Sequence, residues 1–236
     1  MPNGLGDEKL WLCPSLDNSA DDLSGNGNHG TYNGGMGTVA DTEEGGQRAY
    51  DFDGTDDYID IASFSFTGDF SFGGWAKIDS TGGLSLKPGI FSTELTGSSW
   101  FGLRVWSTGK IRCDVKDANA NRREIETTLT YNDDQWHHLF ANVDRTNDLL
   151  SVYIDGVSVV TGDLSSFNAT VSGGFDIGWA QAGSRYFTGQ IDDVRIYDRA
   201  LTDAEITALA SKRGYEVPTS ATTYHPFAAL NHPLAQ

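Results

Sequence analysis

Two tryptophans that flank an arginine are the residues of this sequence best equipped to bind a ligand. Apolar residues alternate along the segment 100–106, so Trp100, Arg104 and Trp106 are expected on the outward side of a strand. Arg112 follows the turn at 107–109 and should line the same side. Aromatic rings stack on sugars or form protein hot spots, and guanidinium groups donate hydrogen bonds to the same ligands. These four residues are the predicted ligand-binding site, unless another part of the chain covers the rings.

Catalysis is not predicted from the acidic residues. Glycoside hydrolysis needs two carboxylates held on either side of the bond to be cleaved. Glu124 and Glu126 are the closest pair, and alternation puts both on one side of a strand, where such a pair usually forms a solvated edge. The sequence contains no nucleophile elbow, phosphate loop or zinc-protease helix motif. We therefore expect no catalytic residues.

Trp136-His137-His138 is the other segment that suggests chemistry. Adjacent residues of a strand point to opposite sides, so the two histidines cannot hold one metal ion together. We interpret both histidines as structural.

The charge balance excludes some partners. The 236 residues include 33 acidic and 16 basic ones, a net charge of −17 that disfavours nucleic acid. Cys13 and Cys113 are interpreted as buried free thiols, with a disulfide as the alternative. The first eight residues do not resemble a secretory leader, and no apolar run is long enough to span a membrane.

Short strands must position these residues. Alternating segments recur from residue 9 to about residue 197, and 28 glycines supply turns, which predicts an all-β protein. We expect one hairpin around the turn at 54–57 and another at Asp155-Gly156. One helix is expected after Thr202, which forms a capping box with Glu205, and Gly214 should close it.

Four segments resemble the laminin-G-like (LamG and pentraxin-type) domains of the concanavalin-A-like lectin/glucanase superfamily. They are residues 22–30, residues 50–59, residues 136–138 with 153–156, and residues 187–197. The resemblance covers about residues 9–210 and implies a two-sheet antiparallel jelly-roll sandwich, residues 1–214, with one short C-terminal helix. It further implies that the first strand lies near the last one and that Trp136 belongs to the core.

The resemblance also implies a structural calcium ion. In the resembled family the ion lies near the Asp-x-Ser-Gly-Asn loop and the closing strand, which points to Asp22, Asn26, Asn28 and Asp192 as ligands. Asp192 should share a strand side with Val194 and be buried. The alternative is a turn in which Asp22 and Asp192 accept only backbone N–H groups. Hydrolases of the superfamily carry a Glu-x-Asp-x-x-Glu pattern that this sequence lacks.

Residues 215–236 are predicted to form an extended C-terminal arm that docks on partner proteins. The arm has little hydrophobic periodicity but repeats a short pattern. The predicted partner-binding residues are Tyr224, His225, Pro226, Phe227, His232, Pro233 and Leu234.

Two functions follow from these observations. The first is a surface or decoration subunit of a virus or phage particle, or of another large assembly, which binds copies of itself or capsid proteins at a virion or extracellular surface. The alternative is a calcium-dependent, lectin-like adhesion module that binds glycans.

Overall fold

Strands with one apolar and one polar side form most of the chain and assemble into two antiparallel sheets. The computed structural model describes residues 4–14, 19–41, 47–82, 87–93, 97–180 and 185–213. The sheets face each other as a jelly-roll sandwich, which confirms the predicted fold class.

Sheet I contains both the first and the last strand. Its strands are β1 (Leu10–Leu12), β3 (Gly37–Asp41), β4 (Gln47–Asp53), β6 (Phe70–Ile78), β11 (Trp136–Asp144), β12 (Leu149–Ile154), β13 (Val157–Asp163) and β17 (Thr188–Tyr197). They lie in the order β13-β12-β11-β6-β17-β4-β3, and β1 also pairs with β17.

Sheet II carries the predicted ligand-binding residues. Its strands are β2 (Thr31–Asn33), β5 (Tyr58–Phe66), β7 (Gly89–Thr93), β8 (Trp100–Val105), β9 (Lys110–Lys116), β10 (Arg122–Thr130) and β14 (Val171–Ile177). They lie in the order β10-β9-β8-β7-β14-β5-β2. A small hairpin, β15 (Trp179–Ala180) and β16 (Arg185–Tyr186), follows β14.

Phenylalanine rings join the two sheets. Phe101 of β8 lies 5.1 Å from Phe70 and 4.9 Å from Phe72 of β6, measured between ring centroids, and all three rings are fully buried. Each such ring stabilises the fold by about 1.5–3 kcal/mol through burial alone. The side of β8 that carries Phe101 packs in the core, and the other side of the strand therefore faces outward.

The closing strand β17 holds the sandwich together. It pairs with β6 on one side and with β4 and β1 on the other, and Leu10 faces Ile196 as the resemblance implied. A bulge at Asp192–Asp193, where Asp193 has φ +50°, interrupts the alternation. Ile191 and Val194 therefore both reach the core. The expectation that Asp192 shares a side with Val194 is wrong, although Asp192 is fully buried.

A buried ionic network lies where β1 meets β17. The Arg195 side chain is 2% exposed, donates to Glu8 Oε1 at 3.0 Å and to Asp193 Oδ1 at 2.8 Å, and lies 4.4 Å from the centroid of the Trp11 ring. Trp11 Nε1 also donates to Asp193 Oδ1 at 2.6 Å. The Tyr197 hydroxyl donates to Glu8 Oε1 at 3.1 Å. The network fastens the N-terminal segment to the last strand.

One predicted hairpin is confirmed and the other is wrong. Asp155 and Gly156 both have positive φ and join β12 to β13. The turn at 54–57 instead connects β4 in sheet I to β5 in sheet II, so the flanking strands do not pair. Alternation identifies each strand but does not say which partner it takes.

The helix α1 (Asp203–Ala210) packs on sheet I. Its capping box of Thr202 and Glu205 is confirmed, and Ser211 is its C-cap. Ile206 and Leu209 of the helix are buried with Phe140 and Tyr197. No helix in the described part of the chain is long and apolar enough to cross a membrane. Gly214 and the arm at 215–236 lie outside the described residues.

Trp136 departs from its expected place in the core, whereas the two cysteines lie as expected. Trp136 is half-buried rather than part of the core, and the Arg213 guanidinium lies 3.8 Å from the centroid of its ring. Cys13 and Cys113 are buried and not joined to each other. The interpretation of both as buried free thiols is confirmed.

Candidate functional site

The predicted calcium loop is held by hydrogen bonds of its own. Asp22 Oδ1 accepts from the N–H groups of Trp11 and Ser24, both at 3.0 Å, and Asp22 Oδ2 accepts from the Asn28 N–H at 2.9 Å. Asn26 Nδ2 donates to the Glu8 carbonyl at 2.8 Å, and Asn28 Nδ2 donates to the Lys9 carbonyl at 2.7 Å. The loop thereby clamps the first strand. Both oxygens of the Asp22 carboxylate accept backbone N–H groups in this arrangement.

Asp192 is also engaged within the protein. Its Oδ1 accepts from the Asp193 N–H at 2.7 Å and lies 3.7 Å from the Cys13 sulfur, which can donate to it. This is the turn-like alternative, in which the carboxylate accepts a backbone N–H group. Calcium binding by these four residues stays a prediction.

A cluster of carboxylates that the sequence analysis passed over lies in the turn after β4. Ligand atoms of Asp53, Asp56 and Asp57 lie within 4.8 Å of one another, and no other such group of three occurs in the described ranges. Asp57 Oδ2 accepts from the Asp53 N–H at 3.0 Å, and burial raises the pKa of Asp57. The turn connects the two sheets and needs this hydrogen bond whatever else it binds.

The predicted ligand-binding residues come together on the outer face of sheet II. Trp100, Trp106 and Arg112 are half-buried there. Arg104 departs from the expected exposure, since it is only 4% exposed. The reason is an ion pair with the fully buried Asp114 on the neighbouring strand. Arg104 therefore supports the face instead of contacting a ligand directly.

Cations cover the two tryptophan rings. Arg112 lies 3.4 Å and Lys87 3.7 Å from the Trp106 centroid. Lys116 lies 4.2 Å from the Trp100 centroid and Arg122 lies 5.6 Å from it. Cation–π contacts of this kind contribute about 0.5–2 kcal/mol each and hold the cations in place. The rings thus act as supports for positive charge, which agrees in part with the alternative that they are covered.

Three carboxylates lie among these cations. Arg112 pairs with Glu126 at 2.9 Å, and Arg122 pairs with Glu124. Glu124 lies opposite Asp114 in the sheet register, and a hydrogen bond with that aspartate raises the pKa of Glu124. The acidic pair noticed in the sequence is therefore ion-paired rather than merely solvated.

A second group on this face was missed by the sequence analysis. Tyr58 of β5, Trp179 of β15 and Tyr186 of β16 form an aromatic cluster, with 4.6 Å between the ring centroids of Tyr58 and Trp179. The Trp179 and Tyr186 rings are 5.8 Å apart and nearly parallel, with 8° between their planes. All three residues are half-buried, so part of each ring faces solvent. The only sequence signal was the aromatic content of the segment 179–187.

The hairpin that carries Trp179 is fixed to sheet II. Ser92 Oγ donates to the Trp179 carbonyl at 2.6 Å, and the Gly178 N–H donates to the Ile90 carbonyl at 3.0 Å. Gly178 has φ +83°, which a residue with a side chain rarely adopts. Burial and the nearby Asp176 and Asp60 raise the pKa of Tyr58. The cluster therefore lies beside carboxylates at a defined position.

The aromatic cluster and the cations belong to one continuous surface. Ile177 pairs with Ile59 and Phe91, and Gly89 pairs with Arg104, which pairs with Arg112. Three strand spacings from β14 to β9 amount to about 15 Å. An extended ligand can contact both groups at once.

The two histidines point to different sides, as predicted. His137 Nδ1 lies 2.8 Å from Asp155 Oδ2, and Nε2 lies 3.3 Å from Asp133 Oδ1. The hydrogen bond with Asp155 raises the pKa of His137. His138 is buried beside Phe140 and Trp75, and burial lowers the pKa of His138 to about 3.

We expect the contributions of His137 and His138 to the stability to change with pH in opposite directions. The unfolded chain protonates His138 below pH ~6.5 while the folded protein does not, so its contribution falls by up to ~1.4 kcal/mol per pH unit below that value. The stability that His137 adds is present below its ordinary pKa and is lost as the pH rises through its raised value. Urea unfolding between pH 5 and 8 measures both effects. H138F should flatten the acid-side loss, and H137Q should remove the stability that is gained as the pH falls toward ~6.5 from above; parallel curves for both variants would contradict this assignment.

The fold and its polar face define a jelly-roll sandwich of the lectin and glucanase type. Residues 53–207 match the model of the Laminin_G_3 family, concanavalin A-like lectin/glucanases superfamily, and the chain belongs to that family. A comparison with curated protein sequences finds no match.

Solved structures with the same fold include binding domains of toxins and one domain of an extracellular arabinanase. The binding domain of Paraclostridial Mosquitocidal Protein 1 has a TM-score of 0.70 at 17% identity, over 86% of this chain and 52% of that one. The botulinum neurotoxin serotype D ligand binding domain, in complex with N-acetylneuraminic acid, has a TM-score of 0.69 at 15% identity over 87% and 51%. The chain thus spans about half the length of the toxin domains.

A third structure has the size of this chain. It is domain 4 of AbnA, a GH43 extracellular arabinanase from Geobacillus stearothermophilus, in complex with arabinotriose. Its TM-score is 0.65 at 24% identity, over 86% of this chain and 99% of that one. At these identities the likeness shows the fold.

Proposed function

We propose that this chain is a non-catalytic carbohydrate-binding module and that its sugar site is the aromatic cluster on the outer face of sheet II. The observation that carries the proposal is the arrangement of Tyr58, Trp179 and Tyr186, three partly exposed rings within 4.6–6.3 Å of one another. The apolar face of a sugar ring packs on such rings. The exposed Asp60, two residues from Tyr58 on the same strand side, can accept hydrogen bonds from sugar hydroxyls.

The acidic residues of this face support binding rather than hydrolysis. The two carboxyl groups of a retaining glycosidase stand about 5–5.5 Å apart, on either side of the scissile bond. Glu124 is instead ion-paired with Arg122, and Asp114 is fully buried against Arg104. Neither carboxyl group can flank a glycosidic bond in this arrangement.

Known structures of the same fold support a sugar as the ligand. One was determined with arabinotriose and another with N-acetylneuraminic acid. The domain that holds arabinotriose is part of an extracellular arabinanase and is matched over 99% of its length. We propose the same kind of role here, in which a sandwich holds a glycan without cleaving it.

Replacing Trp179 with alanine should strongly weaken glycan binding. The loss of one stacking ring from the centre of the cluster is expected to weaken affinity by at least about tenfold, because a buried aromatic contact contributes on the order of 1.5 kcal/mol or more. Isothermal titration with arabinotriose, followed by a glycan array for other sugars, measures the effect. W136A is the matched control, since Trp136 is a half-buried tryptophan on sheet I under Arg213.

The control also defines what would contradict the proposal. Equal loss in W136A and W179A would show an effect on stability rather than on the site. Absence of glycan binding by the unaltered protein across the array would refute the function. Release of new reducing ends from any bound glycan would refute the non-catalytic assignment.

The role of surface subunit remains a second proposal, favoured by the net charge of −17 and by the aromatic and proline-containing sequence of the arm. We further propose a virion or extracellular location, protein neighbours for the arm and structural calcium for the loop at 22–28. Solution mass of the full chain and of a chain ending at Gly214, with calcium and with chelator, tests the surface-subunit role and the docking of the arm. A defined oligomer formed only by the full chain would support both, and monomers throughout would contradict both.

A further inference from the structure

We propose that the glycan bound by this protein is an acidic polysaccharide and that the strands β8, β9 and β10 hold its anionic groups. This inference rests on the proposed carbohydrate-binding function and specifies its ligand. We refer to this part of sheet II as the basic half of the face. Its cations are Lys87, Arg104, Lys110, Arg112, Lys116 and Arg122.

The basic half of the face carries a net positive charge. The whole chain carries −17, yet the basic half holds six cations against only three carboxylates, Asp114, Glu124 and Glu126. More than a third of the 16 basic residues are gathered on this one surface. The positive surface attracts anions, whereas the acidic remainder of the protein repels them.

Two of the cations have no carboxylate partner within the described residues. Lys87 lies over Trp106 at 3.7 Å and Lys116 lies over Trp100 at 4.2 Å. Cation–π contact fixes each ammonium group but leaves its N–H donors open to an anion. Arg112 and Arg122, which stand over the same rings, pair with Glu126 and Glu124. Each tryptophan thus presents one available cation, beside one paired cation at Trp100 and two, Arg104 and Arg112, at Trp106.

The two tryptophans, and the available lysines over them, lie far apart along the strand. Trp100 and Trp106 are six residues apart along one strand side, which corresponds to about 20 Å. A single small acid cannot reach both available lysines. A polymer with repeated carboxylate or sulfate groups can reach both, and its sugar rings can extend about 15 Å across the sheet toward the aromatic cluster.

The test uses the full chain and polymers of matched length. The probes are polygalacturonate for carboxylate, chondroitin sulfate for sulfate, and linear arabinan as the neutral polymer, each titrated at low and at high salt. The double variant K87Q/K116Q should weaken binding of an acidic polymer by about tenfold, because two charged contacts are lost while the ion pairs of Arg104 and Arg112 remain. The control K9Q/K212Q removes the same charge elsewhere and should bind like the unaltered protein.

Preference between the two acidic probes identifies the anionic group. Binding that is restricted to arabinan, or equal affinity in the two double variants, would overturn the acidic ligand and leave the carbohydrate-binding function standing. Binding to none of the polymers would overturn the acidic ligand, and absence of binding across the glycan array as well would overturn both proposals. Equal affinity for single-stranded DNA and for the acidic glycans would show attraction to charge alone and would likewise overturn this inference. Thermal unfolding of each variant verifies that the sandwich is intact.

Discussion

Replacing Arg195 with methionine is expected to lower the free energy of unfolding by about 3–5 kcal/mol, because removal of one partner leaves a buried charge uncompensated. Arg195 is 2% exposed and lies between Glu8 and Asp193, whose side chains are 4% and 3% exposed. Methionine retains the length of the side chain but provides no hydrogen-bond donor. Urea unfolding at neutral pH, followed by tryptophan fluorescence, measures the loss.

The chain supplies a matched control for this variant. Arg123 pairs with Asp163 at 3.5 Å at a solvent-exposed position, so R123M should cost less than about 1 kcal/mol. If R195M and R123M destabilise the protein equally, the network at β1 and β17 does not hold the N-terminal segment as described. Measurement at lower pH adds a check, since burial raises the pKa of Asp193, and protonation of this carboxyl removes part of the uncompensated charge and should reduce the cost of R195M.

Replacing Phe101 with alanine is expected to destabilise the sandwich by about 3–5 kcal/mol. Phe101 lies within 5.8 Å, between centroids, of four other rings: Phe66, Phe70, Phe72 and Phe175. Those rings belong to both sheets and cannot all move to fill the space. Differential scanning calorimetry with chemical unfolding measures the change.

Leu129→Ala is the comparison for the Phe101 variant. Leu129 is 68% exposed, so its loss should change stability by less than about 0.5 kcal/mol. Glycan binding by F101A, measured well below its unfolding temperature, should persist, since Phe101 points away from the polar face. Loss of binding with an unchanged unfolding temperature would show that this residue shapes the site and not the core.

The fold was predictable because its signals are local. Alternation along Phe70–Ile78 and Trp100–Val105, the turn at Asp155-Gly156 and the capping box at Thr202 each depend on a few neighbouring residues. The order of the four segments then limited the topology. Errors arose where the outcome depends on distant parts of the chain, as with the turn at 54–57, whose strands enter different sheets.

The site was predictable only in part. The side of the sheet on which Trp100, Trp106 and Arg112 lie follows from alternation. The burial of Arg104 depends on Asp114 on the neighbouring strand, and the Asp22 carboxylate accepts N–H groups both from its own loop and from the first strand. The aromatic cluster joins Tyr58 to residues more than 100 positions away, so no local pattern predicts it.

The position of β17 at the centre of sheet I has a consequence for biosynthesis. Residues 188–197 emerge from the ribosome after every other strand, yet they must insert between β6 and β4 and then accept β1. Until then the nascent chain holds the halves of an incomplete sheet whose backbone groups can pair with the wrong strand. Folding is therefore completed after most of the chain has been made, and it is slow because the decisive contacts are the least local ones. A translational pause after residues 188–197 have left the exit tunnel would favour correct folding, whereas a pause before they have left it would prolong the stage at which misassembly occurs.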